Sequence, residues 1–233
     1  MRMELKKYDR RLITILITSL IIMAIAHLLP PLDYLDYDFI HNNRPHKENT
    51  ISMFLLYMFY IVIPSIFLGV ICKLQQNQPR YIFLVVFSFL LAHSTNTCAS
   101  EILKVVVGEK RPDFIARCKP INKKCTGKID EINEGKKSFP SGHSATVFVG
   151  SIFVLLFLYF FILDNFINYL GKLVATFFIS LILLVFAVTI CSTRINDNRH
   201  FLHDVIAGAG MGTFFASINF YFVKNEIEKS AYE

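Results

Sequence analysis

Six apolar stretches, each about long enough to cross a hydrocarbon layer, dominate this 233-residue chain. They run over Leu12–Leu29, Ile51–Cys72, Tyr81–Val107, Ser144–Leu163, Leu173–Ser192 and Val205–Val223. A membrane span needs roughly 20 consecutive apolar residues, and a soluble core does not. Inside a bilayer each backbone N–H and C=O must be paired within the protein, and these segments are far too long for barrel strands. The sequence therefore predicts an all-α integral membrane bundle of six transmembrane helices. No repeat, linker or low-complexity tract marks a second domain, so 1–233 is read as one. Composition agrees, with 54% apolar and 18% charged residues against roughly 45–50% apolar in soluble domains.

The first span is too long for a signal-peptide core and has no small-residue cleavage site after it. Pro64 predicts a kink in the second span. The second half of the third is polar, with His93, Ser94, Thr95, Asn96 and Glu101. The sixth contains Gly208-Ala209-Gly210-Met211-Gly212. No strand precedes this run, which argues against a dinucleotide site. The spacing of Gly208 and Gly212 instead predicts close approach of two membrane helices.

Six spans put both termini on one side. Lys6, Lys7, Arg10 and Arg11 precede the first span and favour a cytoplasmic N-terminus. The formal charge is +6. Its cations lie between apolar blocks, so anionic headgroups or anionic substrates are the expected partners, and nucleic acid is not. Gly108–Phe139 is rich in Lys and Arg, as a phosphate-binding loop should be. Asp33–Thr50 reads as an interfacial segment anchored by Tyr34, Tyr37 and Phe39, with His41 and His46 at its surface. Cys72, Cys98 and Cys191 sit in or beside apolar spans and read as packing residues. Cys118 and Cys125 share one polar loop, as a disulfide or as two free thiols. No zinc pattern is present among the cysteines, and no metal or other cofactor is expected.

Three polar clusters stand out: Lys104 with Arg111-Pro112, then Pro140-Ser141-Gly142-His143, then Arg194 with His200 and Asp204. In an alternating bundle the helix ends that carry them all emerge on one membrane face. Lys104, Arg111 and Arg194 offer three cations to a tetrahedral oxyanion. Ser141 and Gly142 open a helix whose free N–H groups can hold an anion. His200 and Asp204, four apart, share a helix face, so the carboxylate can orient the imidazole. His143 can give a proton to a leaving oxygen. Glu101 is placed to orient Lys104. His203 adjoins Asp204 outside the His–Asp register and reads as packing or support, while His27 and His93 have no register with the clusters.

These residues resemble the three-part signature of the lipid phosphate phosphatases, also called type 2 phosphatidic acid phosphatases. The signature K-x6-RP, PSGH and SR-x5-H-x3-D stands here as KVVVGEKRP, PSGH and TRINDNRHFLHD. Thr193 replaces Ser and keeps the hydroxyl. The resemblance implies metal-independent hydrolysis of a membrane lipid phosphate through a phosphohistidine. His200 would be the nucleophile, supported by Asp204, and His143 the proton donor. Lys104, Arg111, Ser141, Gly142, His143 and Arg194 would bind phosphoryl oxygens. It also implies an active site on the luminal or extracellular face, in the endoplasmic reticulum or plasma membrane. The Arg111–Phe114 run looks most like the glycerolipid branch. Two rival readings are a non-catalytic lipid-phosphate binder and a six-span channel or transporter, which would place its ionisable groups at mid-membrane. An oligomer is compatible with all three.

Overall fold

The computed structural model describes residues 7–33, 36–75, 78–122, 124–164 and 167–231. Lys6 and Tyr34 of the sequence reading lie outside them. Six long helices carry the fold: α1 (Lys7–Leu28), α2 (Met53–Leu74), α3 (Pro79–Val107), α6 (Gly142–Leu163), α7 (Tyr169–Asn196) and α8 (Leu202–Ala231). Two short helices, α4 (Phe114–Cys118) and α5 (Ile129–Gly135), fill the loop between α3 and α6. All six long helices are apolar enough to cross a membrane. Their outer faces are apolar too: Ile17, Ile21 and Ile25 on α1, and Phe177, Phe178, Val185 and Phe186 on α7, are all exposed. Such faces call for lipid rather than water. The architecture is that of a multi-span integral membrane bundle.

Around Pro64 the second long helix changes its winding. Proline lacks an N–H, and its ring crowds the carbonyl four residues earlier. Here α2 widens into a π turn over Met58–Val62, just before the proline. The helix bulges at Tyr60, whose carbonyl then lies against α6 at Gly150. A Cβ on Gly150 would sit 2.9 Å from that oxygen.

α3 forms the spine of the bundle, packed by α1, α2, α6 and α8. The core is built from Leu68, Leu84, Val85, Phe89, Phe153, Phe157, Ala216 and Phe220. α8 lies along α6 at Gly208 and Gly212. An added Cβ would stand 2.4 Å from the Ser141 carbonyl at Gly208 and 2.3 Å from the Ala145 carbonyl at Gly212. Gly210, on another face of the helix, would meet nothing within 4 Å. Small-residue spacing thus clamps the helix that begins beside His200 onto the helix that begins at Gly142. Gly212→Val is expected to cost about 1–3 kcal/mol by overpacking, and Gly210→Ala nearly nothing. Thermal unfolding of the two variants in detergent checks this. Equal melting temperatures would reject the clamp.

A left-handed glycine shapes the first cluster. Gly108 ends α3 at φ +61°, with its N–H on the Lys104 carbonyl at 3.2 Å. A side chain there would collide with the Leu32 carbonyl at 1.9 Å. This stop turns the chain so that Arg111 returns toward Lys104. Beyond it, Cys118 and Cys125 are disulfide-bonded across a small antiparallel hairpin, β1 (Pro120–Ile121) with β2 (Lys124–Cys125). That ladder is the one β element among the described residues and a local departure from the all-α expectation. Cys72, Cys98 and Cys191 are buried thiols.

The 36–52 segment caps the same end of the bundle. Asn42 Nδ2 donates to the carbonyls of Lys110 and Arg111 at 3.1 and 2.9 Å. Arg44 N–H donates to the Pro112 carbonyl, and Asn198 Nδ2 to the Pro45 carbonyl. Phe39 and Ile40 stay exposed while Tyr37 packs on Phe114. His41 is exposed beside Asp38. His46 is tied at 2.7 Å to the fully buried Asp113.

Candidate active site

A cavity of about 560 Å³ opens where the ends of α3, α6, α7 and α8 meet. Lys104, Arg111, Gly142, His143, Arg194 and His200 line it. Ser141 and Asp204 do not reach the lining; both are fully buried behind it. Five cations face this space, Lys104, Arg111, Lys137, Arg194 and Arg199, against two carboxylates, Glu101 and Glu134. A surplus of cations in a semi-enclosed, low-dielectric pocket is an anion site.

His200 lies just ahead of α8. Its Nδ1 is 2.7 Å from the Ser138 carbonyl and 3.6 Å from Asp204 Oδ2. A carbonyl can only accept, so Nδ1 carries the proton and Nε2 keeps its lone pair for the cavity. Burial pushes this imidazole down to about 4, with Asp204 pulling the other way and Arg111 adding to the fall. At neutral pH it is the uncharged, nucleophilic form. The His–Asp pair expected from the four-residue spacing is therefore present in a looser form: the carbonyl fixes the tautomer and the carboxylate flanks it. Asp204 Oδ2 is occupied otherwise. It accepts from Ser138 Oγ at 2.6 Å and from the Phe201 N–H at 2.8 Å. The second bond is half of a capping box, because Asp204 is the third residue of α8 and Phe201 its cap. One carboxylate thus starts the helix, fixes Ser138 and holds negative charge beside His200.

α6 begins in the same manner. Ser141 is its cap, with Oγ accepting from the Ser144 N–H at 3.4 Å and the Ser144 hydroxyl at 3.0 Å. Its own N–H is spent on the Asp204 carbonyl at 3.0 Å. Ser141 therefore builds the helix end, and Gly142 and His143 present its free N–H groups. A Cβ on Gly142 would stand 3.4 Å from Lys104 Nζ. The missing side chain lets that ammonium sit against the helix terminus.

The cations are held in place by their neighbours. Lys104 pairs with Glu101 one turn earlier. Arg111 Nη2 donates to Glu134 at 2.6 Å and to the Lys137 carbonyl at 3.3 Å. Arg194 is 1% exposed. It is clamped by Asp197, by Asn49 Oδ1 at 3.2 Å and by the Thr193 hydroxyl at 3.1 Å. Thr193 thus serves by aiming Arg194, its own hydroxyl donating to the Ile190 carbonyl. His143 Nε2 is 3.0 Å from the Ile51 carbonyl and 3.4 Å from Arg194 Nη1. The carbonyl marks Nε2 as the nitrogen that carries a proton.

The structure adds residues that sequence spacing did not single out. Lys137 and Arg199 reach the cavity beside the motifs, and Asn49 and Tyr57 enter from the 36–52 segment and α2. His27, expected to be unrelated, lines it as well: its Nδ1 is 3.1 Å from Glu101 Oε2, and its carbonyl accepts from Lys137 at 3.0 Å. One turn of α1 was enough to bring it there, and one sequence shows no register between separate helices. His93 is buried elsewhere, edge-on to Phe89 with neither ring nitrogen hydrogen-bonded. His203 is exposed beside Glu109 and Asp204. The far side of the cavity is apolar, with Met23, Ala24 and Leu28 of α1 facing Met53 and Tyr57 of α2.

Residues 81–228 match the family described as the PAP2 superfamily. Among curated proteins, the chain is 29% identical over 190 residues to lipid phosphate phosphatase 1 of Arabidopsis thaliana, covering 74% of this chain and 54% of that protein. It is 29% identical over 220 residues to lipid phosphate phosphatase 2 of the same plant, covering 85% and 71%. It is 28% identical to diacylglycerol pyrophosphate phosphatase 1 of Saccharomyces cerevisiae, covering 70% and 60%. Over its matched region the chain thus spans between about half and seven-tenths of these relatives' lengths. No solved structure matches. The matched region runs from the start of α3 to near the end of α8 and includes all three polar clusters, and by this match over more than half of its length the chain belongs to the PAP2 superfamily.

Proposed function

We propose that the chain is a single-domain, metal-independent membrane phosphatase acting on lipid phosphate esters through a phosphohistidine at His200. One observation carries the reading: two imidazoles line the same cationic cavity, His200 with Nδ1 on the Ser138 carbonyl, which leaves Nε2 for attack, and His143 with Nε2 on the Ile51 carbonyl. His200 Nε2 attacks phosphorus, and the bond from phosphorus to the leaving oxygen breaks. His143, taking part as the imidazolium, passes its Nε2 proton to that oxygen and is left neutral, ready to act as base in the second step. Lys104, Arg111, Arg194 and the N–H groups of Gly142 and His143 hold the charge spread over the phosphoryl oxygens. Asp204 balances the imidazolium formed at His200. Water then attacks phosphorus with His143 as base, releasing phosphate and restoring both rings. The donor set suits this chemistry without a divalent cation, because the lining already supplies five positive side chains.

The apolar wall between α1 and α2 fits a hydrocarbon tail beside the phosphate. Phosphatidate, lysophosphatidate and diacylglycerol pyrophosphate are the proposed substrates, in keeping with the names of the similar proteins. Sphingoid-base phosphates and polyprenyl diphosphates are the second reading, since a tetrahedral-anion site and an apolar wall accept them equally. A non-catalytic binder is the third. The basic N-terminus supports a cavity on the luminal or extracellular face, with the endoplasmic reticulum or plasma membrane as the proposed location. Purified protein in EDTA is expected to release phosphate from at least one of phosphatidate, diacylglycerol pyrophosphate, sphingosine phosphate and a polyprenyl diphosphate. A strict requirement for added divalent metal would overturn the mechanism.

A further inference from the structure

Asp204 has a second face that the reaction does not use. Oδ2 is taken by Ser138 and Phe201, but Oδ1 is buried and accepts no hydrogen bond. It points away from the cavity lining, toward two residues absent from that lining. His203 Nε2 lies 3.2 Å from Oδ1, and the same nitrogen lies 2.7 Å from Glu109 Oε1. One donor atom from each of Glu109, His203 and Asp204 falls within 4.8 Å of the others.

Two carboxylates sharing one imidazole nitrogen is an arrangement short of positive charge. His203 can give its single Nε2 proton to one oxygen only, which leaves the other unanswered. The ring is held flat between neighbours, 5.5 Å from Phe201 and 6.4 Å from Phe139, while the side chain remains 60% exposed. Ions can therefore reach it from water. Donors around a tetrahedral zinc at about 2.0–2.2 Å stand roughly 3.3 Å apart; the His203–Asp204 pair at 3.2 Å matches this as it stands, and the His203–Glu109 pair at 2.7 Å needs to open slightly. An imidazole with two carboxylates suits a zinc-type ion. Magnesium prefers an octahedral shell that keeps several waters.

We infer that Glu109, His203 and Asp204 Oδ1 form an inhibitory zinc site on the back of the catalytic pair. Nε2 binds the ion with its proton moved to the solvent-facing Nδ1. The ion takes up the negative charge of Asp204, which then no longer balances the imidazolium at His200. Occupation of a site outside the cavity thereby slows phosphoryl transfer, with substrate still able to enter.

The effect on turnover rests on the phosphatase reading; the binding does not. Full-length protein in detergent, freed of metal with EDTA and dialysed, is titrated with zinc chloride by calorimetry and, in parallel, assayed on phosphatidate. The variants are His203→Ala and Glu109→Gln, with His41→Ala as an exposed-histidine control. Zinc is expected to bind once per chain with high affinity and to lower kcat more than it raises KM. Each of the two variants should keep basal activity within about twofold and bind zinc at least about tenfold more weakly, as loss of a metal-supporting group does. His41→Ala and added magnesium should change neither quantity. Zinc binding that persists unaltered in both variants, or no zinc binding at all, overturns the site. Zinc binding as described without any inhibition overturns the coupling to Asp204 and leaves the phosphatase reading to the metal-free assay.

Discussion

Alanine at position 200 is expected to lower phosphate release by about a thousandfold or more, with the fold intact. The two halves of that expectation have separate causes. The chemical half follows from the tautomer. The Ser138 carbonyl holds the Nδ1 proton and leaves Nε2 as the basic atom that faces the cavity. Burial disfavours the charged ring, so the uncharged form that can attack is the favoured one at pH 7. No other imidazole can substitute. His143 has Nε2 committed to the Ile51 carbonyl, and His27 is tied to Glu101. The structural half follows from Asp204. Its bonds to Ser138 and Phe201 do not involve His200, so the cap on α8 survives the substitution. The measurement is a single-turnover assay with radiolabelled phosphatidate, quenched in alkali, in which a phosphohistidine persists. Wild-type protein should retain label and the variant none. Labelled protein in the variant, or turnover within tenfold of wild type, would remove His200 from the nucleophile's role. Melting temperatures should differ little, which separates lost chemistry from lost structure.

How much of this site could be read from the chain alone depended on what kind of atom does each job. Lys104, Arg111, His143, Arg194 and His200 are side chains whose charge or ring belongs to the residue type, and their helix-end positions followed from alternating spans. The atoms that tune them were hidden. The carbonyls of Ser138 and Ile51 set the two imidazole tautomers, yet every residue has a carbonyl and nothing in the sequence marks these two. Asn49 and Asp197, which hold Arg194, come from separate loops. Ser141 stands in the signature beside Gly142, and its second task is invisible in the sequence: its Oγ accepts from Ser144 to cap α6, and its N–H ties that helix to the Asp204 carbonyl of α8. The spans were legible from hydropathy, though their ends were not. The fifth helix runs from Tyr169 to Asn196 rather than over Leu173–Ser192, because Asn168 caps it before the apolar run begins. Polar caps extend a helix past the point where hydropathy falls.

Arg194→Ala should be the most damaging change to stability and activity together, and a second substitution should pull the two effects apart. The guanidinium is 1% exposed and paired with Asp197, itself 7% exposed at the side chain. Removing one partner of a buried pair strands the other charge, at a cost of about 3–5 kcal/mol. Asp197 would keep the Thr50 N–H at 2.9 Å and the Thr50 hydroxyl at 2.6 Å, so the lower end of that range is expected. The double variant Arg194→Ala, Asp197→Asn removes the stranded charge and keeps an acceptor for Thr50. It should recover most of the lost melting temperature. Activity should not recover with it. Arg194 reaches the cavity and lies 3.4 Å from His143 Nε2, so its charge acts on the phosphoryl oxygens as they gain negative charge. Loss of such a donor costs about a hundred- to a thousandfold in kcat, whatever the stability of the bundle. Recovery of both stability and kcat in the double variant would make Arg194 a structural ion-pair partner only. Recovery of stability alone places its charge in the transition state, where a positive group at the end of α7 works together with the helix start of α6 and the imidazole that precedes α8.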